Sequence, residues 1–310
     1  MYNTLARLRY SDRINRSEGS IISITSQGEH VVSSAMSDEI DDLACNSGWN
    51  AENEDSYTTF SAIQDRFISL DAVRAGMKAE GLESCRLIFG IDYTISNRSQ
   101  GTNTFDGKSL HDLGSLNPYQ EVICILGEVL EPLNHDPDGT IPAFGFGDSI
   151  TQGNDIFKLK PEEGECRGFM EVLEAYEKIT PKLHLCGPTN FAPLIDKAVE
   201  IVKNSGNMYH ILVIVADGQV SKVEETMKSI EKASDYPLSI IMIGVGDGPW
   251  DMMYSFDNLL PQRRFDNFQF VNFHHIMSTS RNPQAALALH ALMEIPDQYK
   301  AIKNLRLLNK

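Results

Sequence analysis

Asp92, Thr94 and Ser96 occupy alternate positions at the end of RLIFGIDYTISN, residues 86–97. Carboxylate and hydroxyl groups are hard oxygen donors, and alternate residues just past a strand can face the same way. Thr94 and Ser96 can therefore present their oxygens towards one ion, with Asp92, and Asp217 of the later stretch ADGQ, acting directly or through water. Such oxygens at octahedral geometry suit Mg²⁺ or Mn²⁺, and Ca²⁺ less tightly. Two or fewer direct carboxylates leave the ion electrophilic with an open position. That position invites an acidic side chain from another protein.

Other chemistries need residues that are missing here. Phosphoryl transfer at a D-x-D pair needs a second carboxylate where Thr94 stands. A dinucleotide site needs G-x-G-x-x-G directly after the first strand, and this strand offers only Gly90; the later GVGDGP lacks the spacing. Taken alone, Asp92 also reads as a helix cap and Asp217-Gly218 as a turn. Asp148 is expected to be a solvent-facing turn aspartate, and Asp247 in GDGPWD supports either a turn or the rim of the site. Thr189 is expected to be exposed in the Gly-Pro loop CGPTNFAP. His274-His275, with no carboxylate or cysteine nearby, is expected at the surface, Trp250 as a packing anchor, Met242, Met252 and Met253 as core filler. Cys186 lies close to the proposed site and is expected to be inert, since no base adjoins it.

These residues must be held by a scaffold that the apolar pattern outlines. Helical spacing predicts a helix over Phe60–Gly81, followed by the buried strand RLIFGID. The next helix, NPYQEVICILGEVLEPL, opens with Asn117 as cap, Pro118 at the first position and Gln120 placed for a capping box. Ile141–Asp148 reads as a short strand, DIFKLK as an edge strand and GFMEVLEAYEKI as a helix. FAPLIDKAVEIVKNSG and KVEETMKSIEKAS read as helices, HILVIVADG and LSIIMIGVGD as buried strands. WDMMYSFD is a short helix, NFQFVNF the last strand and NPQAALALHALMEI one last helix. Alternating helices and unbroken Ile/Val/Leu strands predict an α/β fold: a doubly wound, mostly parallel central sheet with helices on both faces. Sites in such sheets form at the carboxyl ends of the strands.

Composition narrows the setting. The chain has 310 residues, 42% hydrophobic and 23% charged, with a formal charge of −16, which argues against nucleic acid or an anionic bilayer as the main partner. No apolar run approaches the roughly 20 residues needed to span a membrane, and no secretory signal is expected at the start. The five cysteines are scattered, with no C-x-x-C pair, and point to a reducing compartment, cytoplasmic or nuclear. Residues 1–56 are rich in Ser, Asn, Asp and Glu and read as an acidic, disordered arm. Residues 57–278 read as one domain and 279–310 as a helical extension.

GIDYTISN, GPTNF and VIVADGQ resemble the three parts of the metal-ion-dependent adhesion site (MIDAS) of a von Willebrand factor A domain. NPYQEVICILGEVL, IPAFGFGD, GPTNFAPLIDKA, YHILVIVADGQV, PLSIIMIGVGDGPWDMM and FDNFQFVNF narrow the resemblance to the copine-type A domain, as in the RING-domain ubiquitin ligases of plants. The resemblance covers roughly residues 57–278. It implies Asp92, Thr94, Ser96, Thr189 and Asp217 as the metal ligands, Mg²⁺ (or Mn²⁺ or Ca²⁺) as the cofactor, and a protein partner that contributes an acidic side chain. It implies an intracellular protein-binding module or, alternatively, a substrate-recruiting part of a ubiquitin ligase; a Mg-dependent hydrolase is a weaker third reading. No Cys/His array follows Asp217, so a RING finger is not expected within these residues. The arm is too short for the lipid-binding modules that open copines proper, so calcium-triggered membrane docking is not implied either.

Overall fold

A computed structural model describes residues 62–308, apart from 64, 135–138, 162–163, 219 and 261. The arm expected over 1–56 lies outside the described residues. Within them, the first helix, α1, is Leu70–Ala79, shorter than the expected Phe60–Gly81. Ser69 stops it from extending backwards: its backbone is extended and its hydroxyl accepts the Ala72 N–H at 3.2 Å, an N-cap that periodicity alone does not reveal.

Strand β1, Arg86–Asp92, is buried along nearly its whole length. It is followed by α2 (Pro118–Leu130), which carries the full Asn117/Gln120 capping box. Then come β2 (Thr140–Ile141), β3 (Ala143–Phe146), β4 (Ile156–Lys158), β5 (Cys166–Arg167) and α3 (Gly168–Ile179). The second half alternates: α4 (Ala192–Asn204), β6 (His210–Ala216), α5 (Val223–Ala233), β7 (Leu238–Gly244), α6 (Asp251–Asn258) and β8 (Phe268–Asn272). It closes with α7 (Phe273–Thr279), α8 (Pro283–Leu292) and α9 (Ile295–Asn304). The helix expected over NPQAALALHALMEI is α8, and α9 follows it as a further helix, opening with Pro296 in its first turn, where a missing N–H costs least.

The main sheet runs β4-β3-β1-β6-β7-β8, parallel throughout except for the antiparallel edge strand β4. This is a doubly wound, mostly parallel architecture. Side chains alternate across it. Ile88, Leu212, Ile214, Ile240 and Met242 pack on one face with Leu194, Ile195 and Val199 of α4, Ile230 of α5 and Trp250. Leu87, Phe89, Ile91, Val213 and Ile241 are equally buried on the other. Gly90 lets α4 sit directly on β1, because a Cβ there would come within 2.1 Å of Leu194 Cδ2. Trp250, Met242 and Met253 are buried as expected, and His274 and His275 are exposed on α7.

At the amino-terminal end of β8, away from the carboxyl ends of the strands, the loop before the strand buries an ionic cluster. Arg263 Nη1 meets Asp266 Oδ1 at 2.8 Å with both side chains essentially sealed from solvent. Asp266 also accepts the Ile63 N–H at 3.0 Å. Asp257 and Glu294 share this environment, and burial, reinforced by the negative charge of Asp266, pushes their carboxyls up to about 8 and about 10. Gln298 Nε2 donates to Glu294 Oε2 at 3.1 Å, tying α9 to its own first turn.

Candidate metal centre

The chain leaves β1 for β3 on one side and returns to β6 on the other, which makes the gap between β1 and β6 the switch point of the sheet. Ile91 pairs with Val215, so Asp92 at the end of β1 and Asp217 just past β6 emerge almost level. Both side chains are fully buried, and Thr94 is 2% exposed.

Local bonds join four of the expected residues. Asp92 Oδ1 accepts the Thr94 N–H at 2.7 Å. Thr94 Oγ1 lies 3.0 Å from Ser96 Oγ, and Ser96 Oγ donates to Asp217 Oδ1, also at 3.0 Å. Since Ser96 spends its proton on Asp217, Thr94 must donate to Ser96. The Thr94–Ser96 turn is anchored by the Ile95 N–H, which donates to the Cys186 carbonyl at 2.7 Å.

Thr189 lines the same cleft, of about 400 Å³, with Thr94, Ser96, Gly218 and Ser221. Its carbonyl accepts the Ser221 N–H at 2.9 Å, which ties the loop before α4 to the loop after β6. Contrary to the exposed loop position expected for it, Thr189 is only 6% exposed. The Cys186–Pro188 segment folds back between the ends of β1 and β3, as the Thr94–Cys186 bridge records. Cys186 is partly buried beside the cleft.

The donor set suits a cation. The second oxygen of each aspartate, Asp92 Oδ2 and Asp217 Oδ2, is buried without a hydrogen-bond partner. Burial raises both carboxyls above the ordinary range, and the charge of Asp92 raises Asp217 further. Two buried carboxylates facing one another favour a proton or a cation between them. Among the described residues no group of three or more His, Cys, Asp and Glu side chains converges on a metal, so this set depends on hydroxyls for its remaining oxygens. Asp92, Thr94, Ser96, Thr189 and Asp217 would hold such an ion, which would supply a positive charge with a position open to an incoming carboxylate.

Nothing in the local pattern of residues foretells the support underneath. His111 is sandwiched between Tyr93 and Tyr119, ring centroids 4.6 and 4.2 Å away. Its Nε2 donates to the Asp92 carbonyl at 2.7 Å, and its Nδ1 accepts from Tyr176 Oη at 2.9 Å. Burial pushes the imidazole down to about 3, so it stays neutral in this tautomer. Tyr119 Oη donates to Asn97 Oδ1 at 2.6 Å, and Asn97 Nδ2 donates to the Thr94 carbonyl at 3.1 Å. The backbones of Asp92 and Thr94 are thus both held from below. His111→Phe keeps the stack but leaves the buried Asp92 carbonyl with only the long 3.5 Å contact from Asn97 Nδ2, while the Tyr176 hydroxyl can turn to Asn117 Oδ1. It is expected to cost about 2 kcal/mol, read as a lower urea midpoint at unchanged slope.

Two other aspartates depart from or sharpen expectation. Asp148 is not solvent-facing but 2% exposed, because its Oδ1 accepts from the Thr151 N–H (2.9 Å) and Oγ1 (2.5 Å) in the turn after β3. Asp247 is a staple: its carboxylate accepts from the N–H groups of Asn103 and Thr104 at 3.0 Å and from Thr104 Oγ1 at 2.8 Å. It fixes the loop that leaves the site to the loop after β7.

Comparison with known proteins places these features in a lineage. Residues 109–310 match the family model described as Copine. Copine family protein 2 of Caenorhabditis elegans is 54% identical over 247 residues, which is 78% of this chain and 3% of that protein. E3 ubiquitin-protein ligase RGLG5 of Arabidopsis thaliana is 48% identical over 267 residues, 81% of this chain and 61% of the ligase. The chain thus spans less than two thirds of either relative's length. Among solved structures, the manganese-loaded TRAP protein of Plasmodium vivax covers 66% of this chain and 74% of its own, at 13% identity and a TM-score of 0.42, a likeness too remote to bear on the site.

Proposed function

This chain belongs to the copine family, and from that premise we propose that it is a protein-binding module whose grip on its partner runs through a divalent cation. The observation that carries the reading is the pair of orphaned, buried oxygens of Asp92 and Asp217 beside the Thr94 and Ser96 hydroxyls. Mg²⁺ suits this oxygen set best, with Mn²⁺ and Ca²⁺ as alternatives. The partner supplies a Glu or Asp side chain to the open position, so binding favours the ion-loaded state. Neither nucleic acid nor membrane insertion is required; no helix among the described residues is long and apolar enough to cross a membrane. None of the four described cysteines is in a disulfide, which supports a cytoplasmic or nuclear setting.

Calorimetric titration of Mg²⁺, Mn²⁺ and Ca²⁺ tests the reading. The wild-type chain is expected to bind at least one ion saturably, and Asp92→Ala to lose both the ion and any acidic-peptide partner selected on the loaded protein. Full partner affinity of Asp92→Ala in chelator would sink the mechanism.

A second reading has support in the relatives named as ubiquitin ligases: the domain recruits substrates to a ligase. Ubiquitin transfer to proteins captured by this chain, when a RING protein is supplied in trans, would favour it. Capture without transfer would leave simple binding.

A further inference from the structure

Gln100 is a polar side chain at the cleft that the five-residue set leaves unexplained. It lines the cleft with Ser96, Thr189 and Gly218. Its backbone has little freedom: the N–H donates to the Ser96 carbonyl at 3.0 Å, and the carbonyl accepts the Asp247 N–H at 2.9 Å. The side chain reaches towards the residue after Asp217, with Nε2 4.0 Å from the place a Cβ on Gly218 would take. Its Oε1 is buried without a hydrogen-bond partner, the same condition as Asp92 Oδ2 and Asp217 Oδ2. Buried acceptors in native proteins are nearly always satisfied, and these three orphans belong to Gln100 on the cleft wall and to the two aspartates bonded to its lining residues Thr94 and Ser96, so one explanation can serve all three.

We propose that the Gln100 carboxamide belongs to the ion's outer shell, its Oε1 accepting a hydrogen bond from a water bound to the cation. The assignment rests on the metal-dependent reading above. An outer place follows from the count: of the about six oxygens that Mg²⁺ takes, the three hydroxyls supply three, one position stays open for the partner, and the aspartates fill the rest directly or through bound water. A carboxamide oxygen at the edge of the set holds and orients water without adding charge, and groups of this kind tune affinity at metal sites.

The test titrates MgCl₂ into the full chain as wild type, Gln100→Leu and Gln100→Glu, with melting curves of each in chelator. Gln100→Leu fills similar volume without an acceptor. It is expected to weaken Mg²⁺ binding about fivefold, the value of one hydrogen bond, while melting in chelator at or above the wild-type temperature. Gln100→Glu, which keeps an acceptor oxygen, is expected to bind at least as tightly as wild type. Equal affinities for wild type and Gln100→Leu would overturn the assignment, as would a Gln100→Glu no tighter than Gln100→Leu. A lower melting temperature of Gln100→Leu in chelator would overturn it too, by showing a packing role. If the wild-type chain binds no divalent ion at all, the metal-dependent reading itself fails, a result distinct from any of these.

Discussion

Asp217→Asn is expected to abolish divalent-cation binding and, in the same protein, to raise the melting temperature measured in chelator. The two effects have one cause. Asp217 is buried against Asp92, and burial together with that neighbouring charge disfavours its ionised form in the folded chain. Unfolding in neutral buffer releases the carboxyl to water, where it ionises freely, so the ion-free fold is held back by this pair. An asparagine keeps the oxygen that accepts from Ser96 Oγ but removes the repulsion. The gain in chelator is on the order of 2 kcal/mol, several degrees in melting temperature for a domain of this size. With saturating Mg²⁺ the order should invert, since the wild-type fold then gains binding energy the variant cannot. If Asp217→Asn melted below wild type in chelator as well, the two aspartates would be a structural pair and not a charge trap waiting for a cation.

Glu294→Gln should flatten the alkaline side of the pH–stability curve. Glu294 is 4% exposed and lies near Asp257 and Asp266, with Arg263 as the buried cation of the cluster. Its folded carboxyl is pushed up to about 10, by burial first and by the negative charges of Asp266 and Asp257 next. A raised carboxyl favours the folded state below the ordinary carboxylate range. That contribution drains away as pH rises towards the folded value, because the unfolded chain gives up the proton first. Each such proton costs about 1.4 kcal/mol per pH unit within that window. Asp257, pushed up to about 8, adds to the slope in the same direction and stops contributing above it. Glutamine retains the acceptor for Gln298 Nε2 and cannot ionise. Urea denaturation at pH 6, 7, 8 and 9 is the measurement: wild type should weaken steadily, and Glu294→Gln should weaken less and stand above it at pH 8. Parallel curves would mean that Glu294 is ionised in the fold and paired with Arg263.

Both predictions turn on charges whose meaning depends on burial, and burial is where sequence and structure part company. The strands were legible because a parallel sheet covered on both faces writes itself as unbroken runs such as HILVIVA, buried at every position. The Asn117/Gln120 capping box was legible because its chemistry is local. The spacing of Asp92, Thr94 and Ser96 announced a common focus of oxygens, since alternation past a strand end is also local geometry. The copine resemblance came from several such stretches in order.

What lay beyond reading was contact across long separations. Asp217 meets Ser96 across 121 residues, and only the parallel pairing of β1 with β6 brings them level. Thr189 looked exposed and is buried, because its loop is clamped to Ser221 beyond β6. Asp148 looked like a surface turn and is sealed by Thr151. His111 sits in a segment with no periodicity, and nothing in its neighbours foretold that it would fold beneath β1 to hold the Asp92 carbonyl. The sequence by itself determined which elements form and which oxygens lie at their ends, because propensity, capping and alternation act within a few residues. The tertiary structure decided which of those oxygens face one another and which are cut off from water, since desolvation and charge repulsion belong to the packed arrangement of distant segments.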